Sequence, residues 1–176
     1  MVHTIARRIE IDAGHRIMTH GSKCRHIHGH RYTIEATCRD TNKQLHESGT
    51  QTDMVLDFGF LKEELMDHID APCDHGFITA HDDLQVLEMF SPQDREFDEW
   101  VSWVRKEVER QGYCSTEKTR LQSKLYVIDT QPTAERLARH WYGRLHDAVV
   151  NRSDGVAKLD KIRVWETPNC WAEYSE

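Results

Sequence analysis

Three histidines and one cysteine near the start of the chain have the residue types and spacing of a metal site with a reactive thiol beside it. If the segment containing His28, Gly29 and His30 runs into a β-strand, the two histidines project to the same side of the sheet and can reach one ion. His15 would complete a set of three nitrogen ligands. Three neutral imidazoles with one open position are typical of a catalytic zinc, whereas structural zinc sites have four protein ligands. Cys24 precedes His28 closely enough for a loop to hold its sulfur beside the metal without binding it.

A chance pairing of histidines is the alternative interpretation, because the chain contains 12 of them. An isolated His-x-His pattern is therefore weak support for a metal site. The joint pattern of His15, Cys24, His28, Gly29 and His30 favours the metal site much more strongly. No C-x2-C pair occurs in the sequence, which argues against a structural zinc held by cysteines.

Length and composition narrow the class of protein. A chain of 176 residues is most simply one domain, and its 38% hydrophobic content suits a subunit that completes its burial by oligomerising. The net charge of −7 argues against a nucleic-acid or membrane-surface binder. There is no bilayer-spanning apolar run and no leader-like start, so we expect a cytoplasmic protein. Five cysteines without a disulfide spacing fit a reducing compartment.

Two predicted strands position the histidines. The first covers about residues 4–11, where apolar and polar residues alternate, and it delivers His15 at its far end. The second covers residues 28–40 and carries one apolar row, Tyr32, Ile34, Ala36 and Cys38. Because His28 and His30 share the parity of that row, we expect the metal on the inner face of the sheet.

Two helices and two strands are predicted to follow. Asp57 is expected to cap a helix that Pro72 ends, with one apolar face formed by Phe58, Leu61, Leu65 and Ile69. A second helix is expected to open at Pro132 and to stop within residues 151–155, with an apolar face formed by Leu137, Trp141, Leu145 and Val149. Two short strands, 161–166 and 170–174, close the chain.

Six motifs in this order resemble the pterin synthases of the tunnelling fold, the family of 6-pyruvoyltetrahydropterin and 6-carboxytetrahydropterin synthases. They are Ile11-Asp12-Ala13-Gly14-His15-Arg16, Cys24-x3-His28-Gly29-His30, Met54-Val55-Leu56-Asp57-Phe58 with Leu61-Lys62, Asp74-His75, Pro132-Thr133-Ala134-Glu135, and Val164-Trp165-Glu166-Thr167. The resemblance covers about residues 5–91 and 126–176. It implies an α+β tunnelling fold, with an antiparallel four-stranded sheet carrying two helices on one face. It also implies a homo-oligomeric barrel, a hexamer being favoured, with active sites at subunit interfaces.

The middle of the chain is foreign to the compact members of that family. We expect a single domain, residues 1–176, with an insertion at about residues 91–122 that contains one helix followed by Gly112. Packing of this helix on the outside of the barrel is the simpler interpretation. The alternative is a lid or partner surface with Trp100 and Trp103 as exposed anchors.

The resemblance also implies a role for each site residue. His15, His28 and His30 would hold Zn²⁺, and Cys24 would be the general base, its pKa lowered by the metal and by Lys23 and Arg25. Asp74 and His75 would be the second proton-transfer pair. Glu166 would anchor the pterin through paired hydrogen bonds, and Thr133 would either contact the pterin or cap a helix. Nothing in the spacing selects the triphosphate contacts among Arg16, Lys23 and Arg25.

The spacing between the cysteine and the first paired histidine separates the family's reactions. The C-x3-HGH pattern is that of 6-carboxytetrahydropterin synthases, which convert 7,8-dihydroneopterin triphosphate with release of acetaldehyde and triphosphate, in 7-deazaguanine and queuosine biosynthesis. Gly76-Phe77 after His75 departs from the usual pattern of the compact enzymes. A 6-pyruvoyltetrahydropterin synthase, which eliminates triphosphate, and a non-catalytic zinc- or pterin-binding module remain as alternatives.

Overall fold

Two long antiparallel strands, β1 (Thr4–His15) and β2 (His28–Asp40), form the centre of the fold. The computed structural model describes residues 2–176. The further strands are β3 (Gly76–Ala80), β4 (Tyr113–Thr116), β5 (Lys124–Ile128), β6 (Ala157–Thr167) and β7 (Cys170–Ser175). The helices are α1 (Phe58–Leu65), which continues through a π-helical turn (Met66–Asp70) into α2 (Ala71–Cys73), then α3 (Leu84–Phe90), α4 (Phe97–Gln111) and α5 (Ala134–Arg152).

The sheet has seven strands in the order β4-β5-β3-β1-β2-β6-β7. The α+β class is confirmed, but the expected four-stranded antiparallel sheet is wrong in this detail. Strands β1, β2, β6 and β7 are antiparallel, whereas β3 runs parallel to both β1 and β5. Four of the five residues in β3 and in β5 are buried, so these strands lack the alternation that marks a strand with one exposed face.

One face of the sheet carries the main hydrophobic core. The predicted apolar row of β2, Tyr32, Ile34, Ala36 and Cys38, is completely buried. α1 and α5 pack on this face through Leu61, Leu65, Trp141 and Leu145, which are also inaccessible to solvent. The opposite face of β1 and β2 is polar, with Arg8 paired to Glu35 and Arg31 paired to Asp12. The sheet therefore separates an apolar side from a charged side.

Both helix starts are capped by side chains. Asp57 accepts hydrogen bonds from the backbone N–H groups of Gly59 and Phe60, as predicted. Phe58 is 53% exposed, so its expected place on the buried face is wrong. A helical side chain leans towards the N-terminus of its helix, and Phe58, as the first residue of α1, projects past the helix end. α5 begins at Ala134, two residues after the predicted Pro132, with Thr133 as its cap.

A second apolar cluster joins α3 and α4 to β4 and β5. Its largest member, Trp100, is 1% exposed, and it packs with Val86, Leu87, Val104 and Val127. The helix predicted before Gly112 is present as α4, and Gly112 adopts the left-handed conformation expected of a helix stop. The alternative that Trp100 is an exposed anchor is wrong, because the side chain faces the apolar side of this amphipathic helix. Within residues 2–176, no helix is both long and apolar enough to cross a bilayer.

Candidate metal centre

The three histidines converge where β1 ends and β2 begins. His15 is paired with His28 across the two strands, and His30 follows two residues later on the same face. The Nε2 atoms of His15 and His28 are 3.1 Å apart. One nitrogen from each of the three rings lies within 4.8 Å of the other two, which is close enough for all three to hold one metal ion.

Backbone carbonyls fix the orientation of two of these rings. The Nδ1 atom of His15 is 2.9 Å from the carbonyl oxygen of Pro132, and the Nδ1 atom of His28 is 2.7 Å from that of His26. A carbonyl oxygen can only accept, so each Nδ1 carries the proton and donates it. Both Nε2 atoms therefore keep a free lone pair directed into the centre, which is the tautomer that a metal requires.

Burial favours the neutral form of two of the three histidines, His15 and His30. Desolvation lowers the pKa of His15 to about 4, despite the opposing effect of the hydrogen bond to Pro132, and the neighbouring histidines lower it further. Burial also lowers the pKa of His30. The Nε2 atom of His30 is buried and has no hydrogen-bond partner among the described residues. A buried nitrogen without a partner, beside two free lone pairs, fits a metal ligand.

Two glycines bring the strands close enough for this arrangement. Gly14 is paired with Gly29 between the histidines. A Cβ atom on Gly29 would lie 3.0 Å from the carbonyl oxygen of Ala13, and one on Gly14 would lie 2.7 Å from the ring of Phe77. The absence of a side chain at Gly29 thus makes room for the backbone of β1.

Cys24 lies in a short 3₁₀ turn, Lys23–Arg25, between β1 and β2. A backbone hydrogen bond of 2.8 Å from the N–H of Ile17 to the carbonyl of Cys24 ties this turn to the end of β1. The thiol is partly exposed. Burial raises the pKa of Tyr32, whose ring packs against those of His15 and His30, and the nearby carboxylate of Glu166 and thiol of Cys24 raise it further. The loop therefore holds the thiol near the histidines.

Glu166 projects from β6 towards the same centre. Its Oε1 atom is 3.6 Å from Nε2 of His15 and 3.9 Å from Nε2 of His30. The side chain is 28% exposed, so one side of the carboxylate remains open to a ligand. The structure thus brings together three histidines, a thiol-bearing loop and one carboxylate from four different parts of the sequence.

Asp74 and His75 lie elsewhere in the same chain. Asp74 accepts a hydrogen bond of 2.9 Å from the N–H of Asp12, and it contacts Nδ1 of His75 at 2.7 Å. Burial acts to raise the pKa of Asp74, but these hydrogen bonds hold it below its usual value. The side chain of Asp12 pairs with Arg31 on the polar face of the sheet, opposite to His15. No hydrogen bond or ion pair within the described chain joins this pair to Cys24 or to the histidines.

His75 is strained and open to solvent. Its backbone has a φ of 56°, a conformation that non-glycine residues adopt rarely and at a cost of about 1–3 kcal/mol. The backbone N–H of His75 is held by the carbonyl of Asp12, which fixes this conformation. The imidazole itself is 78% exposed. The local structure thus leaves the ring of His75 open to solvent.

Thr133 and Arg16, two further candidates for substrate contacts, form hydrogen bonds within the protein. The hydroxyl of Thr133 accepts a hydrogen bond from the N–H of Arg136, so capping accounts for it. Arg16 is held by Asp83 through two hydrogen bonds, one of them 2.6 Å long, and also contacts Gln85. This pairing leaves Arg16 less available for a triphosphate than Arg25.

Pro132 is a functional residue that sequence reasoning missed. Its contribution is a backbone carbonyl, and the carbonyl of any residue type could play this part. The available signal was its position at the predicted start of a helix, where backbone polar groups often bond to neighbouring side chains.

The sequence matches known proteins over nearly its whole length. Residues 4–176 match the family model for 6-pyruvoyl tetrahydropterin synthase. A relative from Rickettsia felis, named 6-carboxy-5,6,7,8-tetrahydropterin synthase, is 31% identical over 171 residues, covering 95% of this chain and 96% of the relative. A relative of the same name from Haemophilus influenzae is 28% identical over 172 residues, covering 98% of each chain.

Solved structures share the fold. An uncharacterized protein from Wolinella succinogenes superimposes with a TM-score of 0.71 at 19% identity, covering 100% of this chain and 99% of the other. The 6-pyruvoyl tetrahydropterin synthase of Plasmodium vivax gives a TM-score of 0.60 at 15% identity, covering 100% and 98%. With the family model matching almost every residue, this chain belongs to the 6-pyruvoyl tetrahydropterin synthase family.

Proposed function

We propose that the protein is a zinc-dependent 6-carboxy-5,6,7,8-tetrahydropterin synthase. It would convert 7,8-dihydroneopterin triphosphate into 6-carboxytetrahydropterin, acetaldehyde and triphosphate, in 7-deazaguanine biosynthesis. The observation that carries this proposal is the convergence of three histidine nitrogens beside the Cys24 loop. The names of the curated relatives and the C-x3-HGH spacing support the carboxy product.

His15, His28 and His30 would hold the zinc through their Nε2 atoms. When bound, a zinc ion with an open position supplies Lewis-acid chemistry, which makes neighbouring hydroxyl and C–H groups easier to deprotonate. The carbonyls of Pro132 and His26 would keep the ligands in the required tautomer, because each holds the opposite ring nitrogen in its protonated form.

Cys24 would act as the general base. Its turn is anchored to Ile17 and flanked by Lys23 and Arg25, and positive charge near a thiol stabilises the thiolate. Arg25 also lines the groove next to this turn, together with His26, so it is available to meet the triphosphate of the substrate. Arg16 lines the same groove but is engaged by Asp83.

Glu166 would recognise the pterin ring. An ionised carboxylate can accept two parallel hydrogen bonds from the 2-amino group and the adjacent ring N–H of a pterin. The partial exposure of Glu166 and its position next to His15 and His30 would place the pterin beside the metal. Its carboxylate would turn away from the histidines when it binds the ring.

The proposed active site draws on more than one copy of the chain. Asp74 and His75 are tied to β1 by hydrogen bonds with the backbone of Asp12. No hydrogen bond or ion pair within the described chain joins them to Cys24 or to the three histidines. We propose a homo-oligomeric barrel, with a hexamer favoured, in which this pair of one subunit completes the site of another. In that assembly, residues 91–122 are an insertion that packs on the outside.

Product analysis tests the proposed reaction. The zinc-loaded protein and a Cys24→Ala control are incubated with 7,8-dihydroneopterin triphosphate, and the products are identified by mass. We expect a 6-carboxy pterin and acetaldehyde from the wild type and neither from the control. Removal of zinc with a chelator should abolish turnover, and its replacement should restore it. Turnover that persists without the thiol or the metal would contradict the assignment.

A 6-pyruvoyltetrahydropterin synthase is the second candidate, because the family model that matches the chain carries that name. It would use the same residues but eliminate triphosphate without breaking a carbon–carbon bond. A 6-pyruvoyl product without acetaldehyde in the same assay would identify it. Binding of a pterin without any cysteine-dependent product would indicate a binding module.

A further inference from the structure

A basic cavity lies on the outer surface of α5, away from the histidine centre. Its volume is about 370 Å³, within the range of about 300–1,000 Å³ that is usual for small-ligand sites. Residues from three parts of the chain line it: the end of α4, the segment after β5 and α5 itself. The charged residues in its lining are Asp129, Arg136, Arg139 and Arg144.

The α5 residues of the cavity form one stripe. Positions 136, 139, 140, 143 and 144 recur at the helical spacing of three and four residues, so their side chains share one face. Within the described chain, none of the three arginines forms an ion pair with a carboxylate, whereas Arg31, Arg152 and Arg163 all do. Asp129 is the sole acidic residue in the lining. A protein with a net charge of −7 thus concentrates three positive charges against one negative charge here.

The innermost arginine is held in place. The guanidinium of Arg144 stacks 3.8 Å above the ring centre of Tyr113 and donates to Nδ1 of His68 at 3.2 Å. A guanidinium held in this way is preorganised for an anion, because little side-chain freedom remains to be lost on binding.

His140 forms a neutral part of the cavity wall. Its Nε2 atom is 2.8 Å from the hydroxyl of Tyr126, which fixes the ring. Burial and the nearby positive charge of Arg144 lower the pKa of His140 to about 4, so the imidazole is uncharged at neutral pH. It can therefore offer a hydrogen bond without adding charge.

Gly143 keeps the cavity open at the centre of the stripe. Glycine inside a helix is destabilising by about 1 kcal/mol relative to alanine. A Cβ atom at this position would contact nothing within 4 Å, so packing does not require the glycine. Its lack of a side chain leaves the space between the arginines free for a ligand.

We propose that this cavity is a second binding site, for the polyphosphate group of a small molecule. Arginine forks match phosphate oxygens bidentately, and several unpaired guanidiniums suit an anion with several charges better than a single carboxylate. The site is separate from the proposed active site, because its lining contains no metal-centre residue and none of the residues proposed to act on the pterin.

Isothermal titration calorimetry with inorganic triphosphate tests this proposal. The test variant is Arg136→Gln/Arg139→Gln, which removes two of the three positive charges. The matched control is Arg105→Gln/Lys106→Gln on exposed positions of α4, which changes the net charge equally. We expect the test variant to bind at least about tenfold more weakly than the wild type and the control, since two charge-assisted contacts to the anion are lost.

A second pair of variants tests whether binding depends on the open volume of the cavity as well as on its charge. Gly143→Leu should fill the cavity and weaken binding, whereas Gly143→Ala should leave it nearly unchanged and should stabilise α5. A parallel titration with ATP shows which kind of molecule carries the polyphosphate group. If ATP binds more tightly than inorganic triphosphate, the ligand is a nucleotide; if it binds equally or more weakly, the ligand is free polyphosphate. Any of three results would overturn the proposal. The first is equal affinity in Arg136→Gln/Arg139→Gln and the wild type, and the second is an equal loss of affinity in the α4 control. The third is that neither inorganic triphosphate nor ATP binds.

Discussion

The Nδ1 atom of His15 lies 2.9 Å from the carbonyl oxygen of Pro132, so a residue two positions before α5 orients the last residue of β1. This contact spans 117 residues of sequence. It couples the packing of α5 on the sheet to the geometry of the metal centre, because movement of the helix start would release the ring. The metal centre therefore depends on the sheet for its position and on the helix layer for its orientation.

Gly29→Ala should damage the centre without touching a ligand. The new methyl group would lie 3.0 Å from the carbonyl oxygen of Ala13, and its nearest neighbours are all backbone atoms of β1, which leave little room to relax. We expect a loss of about 1–3 kcal/mol in the free energy of unfolding, measured with urea, together with less bound zinc. Gly21→Ala is the control, because a Cβ atom there meets nothing within 4 Å. Wild-type stability and zinc content in Gly29→Ala would show that the strands do not need this close approach.

Glu166→Gln should separate pterin recognition from metal binding. The amide removes the charge and replaces one acceptor oxygen, so a bidentate contact with the pterin ring is lost. We expect at least about tenfold weaker binding of 7,8-dihydroneopterin by fluorescence titration, with zinc content by atomic absorption unchanged. Glu10→Gln, on an exposed position of β1, serves as the charge-matched control. Unchanged pterin affinity in Glu166→Gln would reject the anchoring role, and loss of zinc would instead indicate a metal ligand.

Mixing inactive subunits should test whether the site is shared. Cys24→Ala removes the thiol beside the histidines, and His75→Ala removes the exposed ring that contacts Asp74. If an active site combines these groups from two subunits, mixed oligomers of the two variants contain some sites with both groups intact. We expect turnover to return after the two variants are unfolded and refolded together. Cys24→Ala mixed with Glu166→Gln is the comparison, and it should stay inactive if both residues serve the same site from one chain.

Failure of the first mixture would contradict the shared site. Before mixing, each variant must form oligomers of the wild-type size, which size-exclusion chromatography with light scattering measures. Equal recovery in both mixtures would also contradict the assignment, because it would mean that Cys24 and Glu166 come from different subunits.

The parts of the fold that could be predicted are those with one buried and one exposed face. The alternation in β2 predicts both its apolar row and the shared face of His28 and His30. β3 and β5 are short, parallel and nearly continuously buried, and such apolar runs do not differ from buried helical segments in their sequence pattern. The position of Asp74 could not be predicted, because it depends on a backbone hydrogen bond to Asp12, 62 residues away.

His140 should make stability depend on pH. Its pKa is about 4 in the folded protein and about 6.5 when exposed, so protons bind the unfolded chain more readily. The contribution of neutral, buried His140 to the free energy of unfolding is fully present above pH 6.5 and is lost as the pH falls towards 4. The loss is up to about 3 kcal/mol, at about 1.4 kcal/mol per pKa unit. His140→Gln should flatten the dependence of the melting temperature on pH in this window. His146→Gln, six residues later on the same helix, is the control and should keep the wild-type dependence of the melting temperature on pH. The same wild-type dependence in His140→Gln would contradict the prediction.

Trp100→Ala should show whether α4 is a packed helix or a lid. The indole is 1% exposed and belongs to the second apolar cluster, so its removal should lower the free energy of unfolding by about 3–5 kcal/mol. Trp103→Ala is the comparison on the same helix, because this indole is only partly buried and stacks with Arg95 at 5.5 Å. We expect Trp103→Ala to lower the free energy of unfolding, measured with urea, by less than half as much as Trp100→Ala does. A lid would give the reverse pattern, with both variants stable and with kcat/KM reduced. Because Trp100 already has its partners within the chain, we expect α4 to stabilise the sheet edge at β4 and β5 whether or not substrate is bound.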